Sequence, residues 1–196
     1  QGGLVAISWH ARNPWTGGNS KDKQIGDFDD LFDANTAAGR RWKEQLDLMV
    51  KGLTELKAAG VPVMWRPFHE SNGPPFWWGT TTLTPAQFRR LWRSTYQYLV
   101  HEHGLDNLLW VYAGFHDIGN TRRKPVLVNW PGDDVVHITG VDAYDDAMAS
   151  FTDADYRALR AKGLPMGLPE AGPGKQSAAG RDYDWSKLPD HLRGRA

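Results

Sequence analysis

Three times along the chain a segment with helical spacing of apolar residues runs into a glycine, and a short apolar run follows. Residues Arg40 to Ala59 place Trp42, Leu46, Met49, Leu53 and Leu56 on one face, Gly60 is a stop, and Val61-Pro62-Val63-Met64-Trp65 reads as a strand. A second helix opens at Thr84-Pro85, a capping residue followed by a first-turn proline. It carries Phe88, Leu91, Trp92 and Leu99, stops at Gly104, and precedes a strand from Leu108 to Tyr112. A third, shorter helix from Asp153 to Lys162 meets Gly163 before a strand at Leu164 to Leu168. Two more strands are expected at Leu4 to Trp9 and at Val135 to Val141. Strands that alternate with helices need crossover connections, hence a parallel sheet. Their near-continuous apolar character suits burial on both faces.

Such a sheet is either open and doubly wound or closed into a (β/α)8 barrel. No G-x-G-x-x-G follows any strand, which removes the main support for a dinucleotide-binding sheet. Gly167 to Ser177 contains Gly174-Lys175, but Gln176 follows the lysine and Pro169 stands where a phosphate loop needs its first glycine. Barrels gather their chemistry where strands end. Here Ser8-Trp9-His10, Arg66-Pro67-Phe68-His69-Glu70, Asp142-Ala143-Tyr144-Asp145 and Glu170 all fall at such ends. The expected fold is therefore α/β, a (β/α)8 TIM barrel.

Composition narrows the function. Equal numbers of basic and acidic residues, 23 each, leave no global positive field to draw nucleic acid or an anionic membrane. The absence of cysteine excludes disulfides, thiolate metal sites and cysteine nucleophiles. No apolar run approaches the ~20 residues of a membrane span. Ten tryptophans, with 21 glycines and 12 prolines, suit an aromatic surface in Gly/Pro-rich loops that stacks on flat ligand faces such as sugar rings. Tryptophan is also a common core residue, and Trp42 and Trp92 are expected there.

Glu70 and Glu170 are the pair to weigh, because a barrel would point both into one cup. Glycoside hydrolysis needs two carboxylates, one protonated and one ionised, whose surroundings push their pKa values apart. Glu70 sits among Trp65, Phe68, Phe76, Trp77 and Trp78, which would favour its neutral form. Glu170 lies in Pro169-Glu170-Ala171-Gly172, whose small side chains leave room for an anomeric carbon. On spacing alone, ordinary loop glutamates remain the alternative. Arg66 could hold Glu170 ionised or form a structural ion pair. No metal site is expected: His101 and His103 diverge on a helix, and Gly73 replaces the second histidine that a zinc helix starting at His69-Glu70 would need.

The segment from Trp65 through Arg66-Pro67-Phe68-His69-Glu70-Ser71-Asn72-Gly73 to Phe76-Trp77-Trp78-Gly79 resembles the acid/base signature of glycoside hydrolase family 26, best known for endo-β-1,4-mannanases. Ser8-Trp9-His10, Asn107 to Tyr112, Trp130-Pro131-Gly132-Asp133-Asp134 leading to Asp142-Ala143-Tyr144-Asp145, and Pro169 to Gly172 agree in order, so the likeness runs from residue 4 to about 172. Pro75 departs from it, standing where many mannanases of the family carry an aromatic residue.

The resemblance implies a retaining double displacement with Glu70 as acid/base and Glu170 as nucleophile. His10, His69, Asp142 and Tyr144 match positions around the sugar undergoing cleavage, and a stacking role is expected for Trp77 or Trp78. The family places these glutamates after the fourth and seventh barrel strands, so this chain is expected to hold about strands three to seven. A whole barrel takes about 250 residues; residues 1–196 are thus read as one catalytic domain lacking barrel sequence at both ends. A start at Gln1 without initiator methionine or signal-peptide pattern fits an excised chain. The expectations are a secreted monomer acting without cofactor on a neutral polysaccharide: mannan, galactomannan or glucomannan. A β-1,3-xylanase, a mixed-linkage β-glucanase and a non-catalytic carbohydrate-binding protein are the alternatives.

Overall fold

The structure is a computed structural model that describes residues 3–116, 123–144, 153–173, 184–191 and 193. Five parallel strands, β1 (Val5–Trp9), β2 (Val63–Pro67), β3 (Leu108–His116), β4 (Ile138–Tyr144) and β5 (Met166–Gly172), form one sheet in the order β1-β2-β3-β4-β5. A doubly wound sheet reverses its strand order partway, whereas a barrel adds each new strand to the same side of the last. The unbroken order is that of a barrel.

Helices α1 (Ala37–Ala58), α2 (Pro85–Tyr96) and α3 (Asp153–Arg160) supply the crossovers β1–β2, β2–β3 and β4–β5. Their ends follow local chemistry. The Thr36 hydroxyl accepts from the Gly39 N–H to cap α1, and Thr84 with Gln87 forms a reciprocal capping box on α2 behind Pro85. Past Tyr96, α2 widens into a π-helical turn over Gln97–Glu102. The three expected stops hold: Gly60, Gly104 and Gly163 have φ of +70°, +63° and +68°, a left-handed turn that side chains disfavour.

Four of the five strands reach further toward the C-terminus than the apolar pattern predicts. β2 ends at Pro67 rather than Trp65, β3 at His116, β4 at Tyr144 and β5 at Gly172. The additional residues include Arg66, Asp142 and Glu170, so polarity at these positions marks the cup, not the end of pairing. Glu170, expected beyond its strand, lies inside β5.

Below the cup the core is built from rings. Trp9 stacks on Trp42 at 5.3 Å and on Trp65 at 5.8 Å between ring centres, tying β1 to α1 and β2. Trp92 of α2 packs 5.5 Å from Trp110 of β3, and its indole N–H donates to the Val135 carbonyl at 3.1 Å. Trp42 and Trp92 are core residues, as expected. Offset and edge-on ring pairs add about 0.5–1.5 kcal/mol each beyond their buried area. Replacing Thr36 with alanine removes the α1 cap and is expected to lower stability by about 1 kcal/mol, measured by denaturant unfolding.

Candidate active site

The cup at the C-terminal ends of the strands is organised around one cation. Ser8 of β1 and Arg66 of β2 are register partners, as are Asp142 of β4 and Glu170 of β5. The buried Arg66 guanidinium spans the gap between those pairs. Its Nη1 donates to Ser8 Oγ at 2.6 Å and to Glu170 Oε1 at 2.6 Å, while Nη2 donates to Asp142 Oδ2. A β-bulge between Gly140 and Asp142 shifts the β4–β5 register just before the acidic pair.

Tyr144, at the end of β4, donates its hydroxyl to Glu170 Oε2 at 2.6 Å. Both oxygens of Glu170 are therefore occupied by donors. Burial pushes the Glu170 pKa up, but the Tyr144 hydrogen bond and the Arg66 charge outweigh it and leave the carboxyl below its ordinary value. Asp142 goes the other way. Burial raises its pKa well above the usual range, Arg66 opposes this, and the charges of Glu170 and Glu70 add to it. Burial and the Glu170 bond likewise raise the Tyr144 phenol, so it remains a donor at any working pH.

Glu70 reaches the same place from the turn after β2. It is buried, and its φ of +56°, like the +52° of Phe68, lies in the left-handed region. Glu70, Asp142 and Glu170 offer carboxylate oxygens that all lie within 4.8 Å of one another. Three oxygen donors at that spacing resemble part of a cation site, yet the Arg66 guanidinium already supplies positive charge to two of them. The cluster is built as an ion-pair network.

His69 is buried, with its ring 4.5 Å from His10 and 4.8 Å from Phe76. Burial, reinforced by Arg66 and His10, depresses its pKa to about 2, so the imidazole is neutral. His10 is lowered too: burial and the charges of Arg66 and Lys21 outweigh the pull of Glu170. Three buried polar atoms, His69 Nδ1, Arg66 Nε and Asp142 Oδ1, have no hydrogen-bond partner among the described residues.

The structure thus gathers Glu70, Glu170, His10, His69, Asp142, Tyr144 and Arg66 at one end of the sheet. It does not bring Trp77 and Trp78 to that surface. Both are 0% exposed. The Trp77 indole donates to the Ala11 carbonyl at 3.0 Å, and that of Trp78 donates to the His69 carbonyl at 2.7 Å. Expected as a stacking platform, they support the site from beneath. In the sequence Ser8 stands out only within the Ser8-Trp9-His10 stretch, with no role of its own; its signal is a lone hydroxyl at the end of an apolar strand. Asp145, Gly174 and Lys175, noted in the sequence, lie outside the described residues.

Fold and site together define part of a (β/α)8 barrel with an acidic cup at its strand ends. Comparison with known proteins makes the assignment specific. The sequence pattern of Glycosyl hydrolase family 26 matches residues 1–175, and the chain belongs to that family. It is similar to mannan endo-1,4-beta-mannosidase A and B of Caldalkalibacillus mannanilyticus, at 38% identity over 192 residues, covering 93% of this chain and 36% of the relative. A mannan endo-1,4-beta-mannosidase of Bacillus subtilis is 35% identical, covering 88% of this chain and 48% of its own length. The structure of Bacillus subtilis mannanase man26 superposes with a TM-score of 0.83 at 31% identity, covering 98% of this chain and 56% of that one. The chain spans a third to about half of the length of these curated relatives.

The burial of Trp77 yields a separable prediction. Trp77→Ala is expected to cost about 3–5 kcal/mol of folding stability, as for a large core ring. Thermal and denaturant unfolding would check this; unchanged stability with weakened sugar binding would return the ring to the substrate surface.

Proposed function

We propose that this chain carries the catalytic pair of an endo-acting β-1,4-mannanase that cleaves with retention of configuration. The approach of the Glu70 and Glu170 carboxylates, with one oxygen of each within 4.8 Å of the other, carries the reading. A retaining pair stands about 5–5.5 Å apart, whereas an inverting pair needs about 6.5–9.5 Å to admit a water between. The spacing favours direct attack by one carboxylate on the sugar.

The environments divide the roles. Glu170, kept ionised by Tyr144 and Arg66, is the nucleophile: Oε attack on the anomeric carbon forms a glycosyl ester as the glycosidic bond breaks. Glu70 gives its proton to the departing sugar oxygen, then takes a proton from the water that hydrolyses the ester. The buried neutral His69 supplies a hydrogen-bonding group that adds no charge. The curated relatives that match over most of this chain, those of Caldalkalibacillus mannanilyticus and Bacillus subtilis, are named mannan endo-1,4-beta-mannosidases, which points to a neutral mannan backbone as substrate. A polymer of that size is cut outside the cell, so secretion belongs to the same proposal.

Three measurements test this. Glu170→Ala, in the natural full-length polypeptide, is expected to abolish turnover while leaving the fold intact; surviving activity would refute the nucleophile. Proton NMR of the first product should show the β-anomer, and an initial α-anomer would sink the double displacement. Reducing-sugar release should favour mannan over β-1,3-xylan and lichenan.

Tyr144→Phe removes a donor that stabilises the ionised form of Glu170, so the Glu170 pKa rises. The acidic limb of kcat/KM, where the nucleophile becomes protonated, is therefore expected to move to higher pH. The variant should lose roughly 10- to 150-fold in kcat/KM at its optimum, the worth of a charge-assisted hydrogen bond of about 1.5–3 kcal/mol.

A further inference from the structure

The turn that carries Glu70 is held by a side chain two residues further on. Backbone pairing between β2 and β3 runs from Val63↔Leu108 to Trp65↔Trp110 and stops there, although β3 continues to His116. Above that point the Glu70 N–H donates to the Ala113 carbonyl at 2.8 Å, and Asn72 takes over the next rung. Its Oδ1 accepts from the Phe115 N–H at 2.6 Å, and its Nδ2 donates to the Phe115 carbonyl at 3.0 Å. A primary amide paired with both backbone groups of one residue does what a neighbouring strand would do. The second Nδ2 hydrogen goes to the Lys124 carbonyl at 2.9 Å, and the Lys124 N–H returns to the Asn72 carbonyl at 2.8 Å. Asn72 is fully buried, with every hydrogen on its amide engaged.

The rung matters because of what it connects. Phe115 is the register partner of Asp142 on β4, and Asp142 is the register partner of Glu170 on β5. A continuous ladder thus runs from the Glu70 turn through Asn72 to the strand bearing Glu170. The turn also needs holding: left-handed φ at Phe68 and Glu70 costs about 1–3 kcal/mol at each position and persists only where surrounding bonds enforce it.

We propose that Asn72 is a positioning residue for Glu70, setting the distance of that carboxyl from Glu170 through its amide pairing with Phe115 and Lys124. The proposal rests on the reading of Glu70 as general acid/base.

The test compares two substrates whose leaving groups differ in their need for a proton: a manno-oligosaccharide, whose sugar alkoxide needs one, and a dinitrophenyl β-mannobioside, whose phenolate does not. The enzyme is used as its natural full-length polypeptide, and kcat/KM is read because it reports the step that expels the leaving group. Glu70→Ala sets the scale; loss of general acid catalysis is expected to cost roughly 10²- to 10⁴-fold on the oligosaccharide and little on the dinitrophenyl substrate. Asn72→Ala is expected to show the same split at smaller size, roughly 10- to 100-fold against less than about 3-fold. Equal losses on both substrates, or no loss, would overturn the proposal, because a residue serving stability alone has no preference for a leaving group. Failure of Glu70→Ala itself to split the two substrates would instead overturn the acid/base reading. If Asn72→Ala does not fold, Asn72→Asp takes its place: it keeps the shape and the acceptor for the Phe115 N–H, removes both donors, and faces the same two outcomes.

Discussion

The cup depends on burying one arginine among carboxylates. Isolated, either kind of charge would cost several kcal/mol to bring out of water, and attraction repays that cost only when geometry and hydrogen bonding are good. Arg66 meets the condition by reaching Ser8, Asp142 and Glu170 from three different strands. The guanidinium makes such a junction possible where an ammonium would not, because its planar fork fixes several donors in one plane. Its charge keeps Glu170 ionised in a half-buried setting, and its reach fixes how β2 stands against β4 and β5. Electrostatics and architecture are here the same contact.

Around that contact the carboxyls are driven apart in character by neighbours rather than by type. Glu170 receives two donors and stays ionised; Asp142, with one oxygen on Arg66 and the other without a partner among the described residues, is pushed toward its neutral form. Glu70 arrives on a turn rather than a strand. Its placement therefore rests on side-chain and backbone bonds to β3, where Ala113 and Phe115 offer groups that no strand neighbour uses at that height.

Much of this was legible in the sequence, and what was not has physical reasons. Helix spacing with glycine stops revealed the alternation of elements and the barrel. The polar residues beyond each apolar run located the cup, though they also made β2, β4 and β5 look as if they end earlier than they do, since apolarity measures burial and not pairing. The partners of Arg66 were hidden: which residues face one another across strands is a matter of register, and no local pattern shows it. Trp77 and Trp78 misled for a related reason. They are close to Glu70 in sequence, but the chain doubles back after the left-handed residues, with the Thr80 N–H bonded to the Ser71 carbonyl, and carries the rings beneath the strand ends. Proximity along the chain to Glu70 is not proximity to the surface that Glu70 lines.

The strand order has a consequence for how the site comes into being. Arg66 and Glu170 are 104 residues apart in sequence, and Ser8 and Arg66 are 58 apart. Contacts of that span must overcome loop-closure entropy before they contribute anything, which slows folding. Of the three side-chain contacts of Arg66, the one to Glu170 on the fifth strand closes the longest loop. Until β5 docks, Arg66 and Asp142 share a pocket one anion short. The pairing of Arg66 with Glu170 therefore ties the poised carboxylate to the docking of the fifth strand: away from Arg66 and Tyr144, Glu170 lacks the charge and the donor that hold its pKa down.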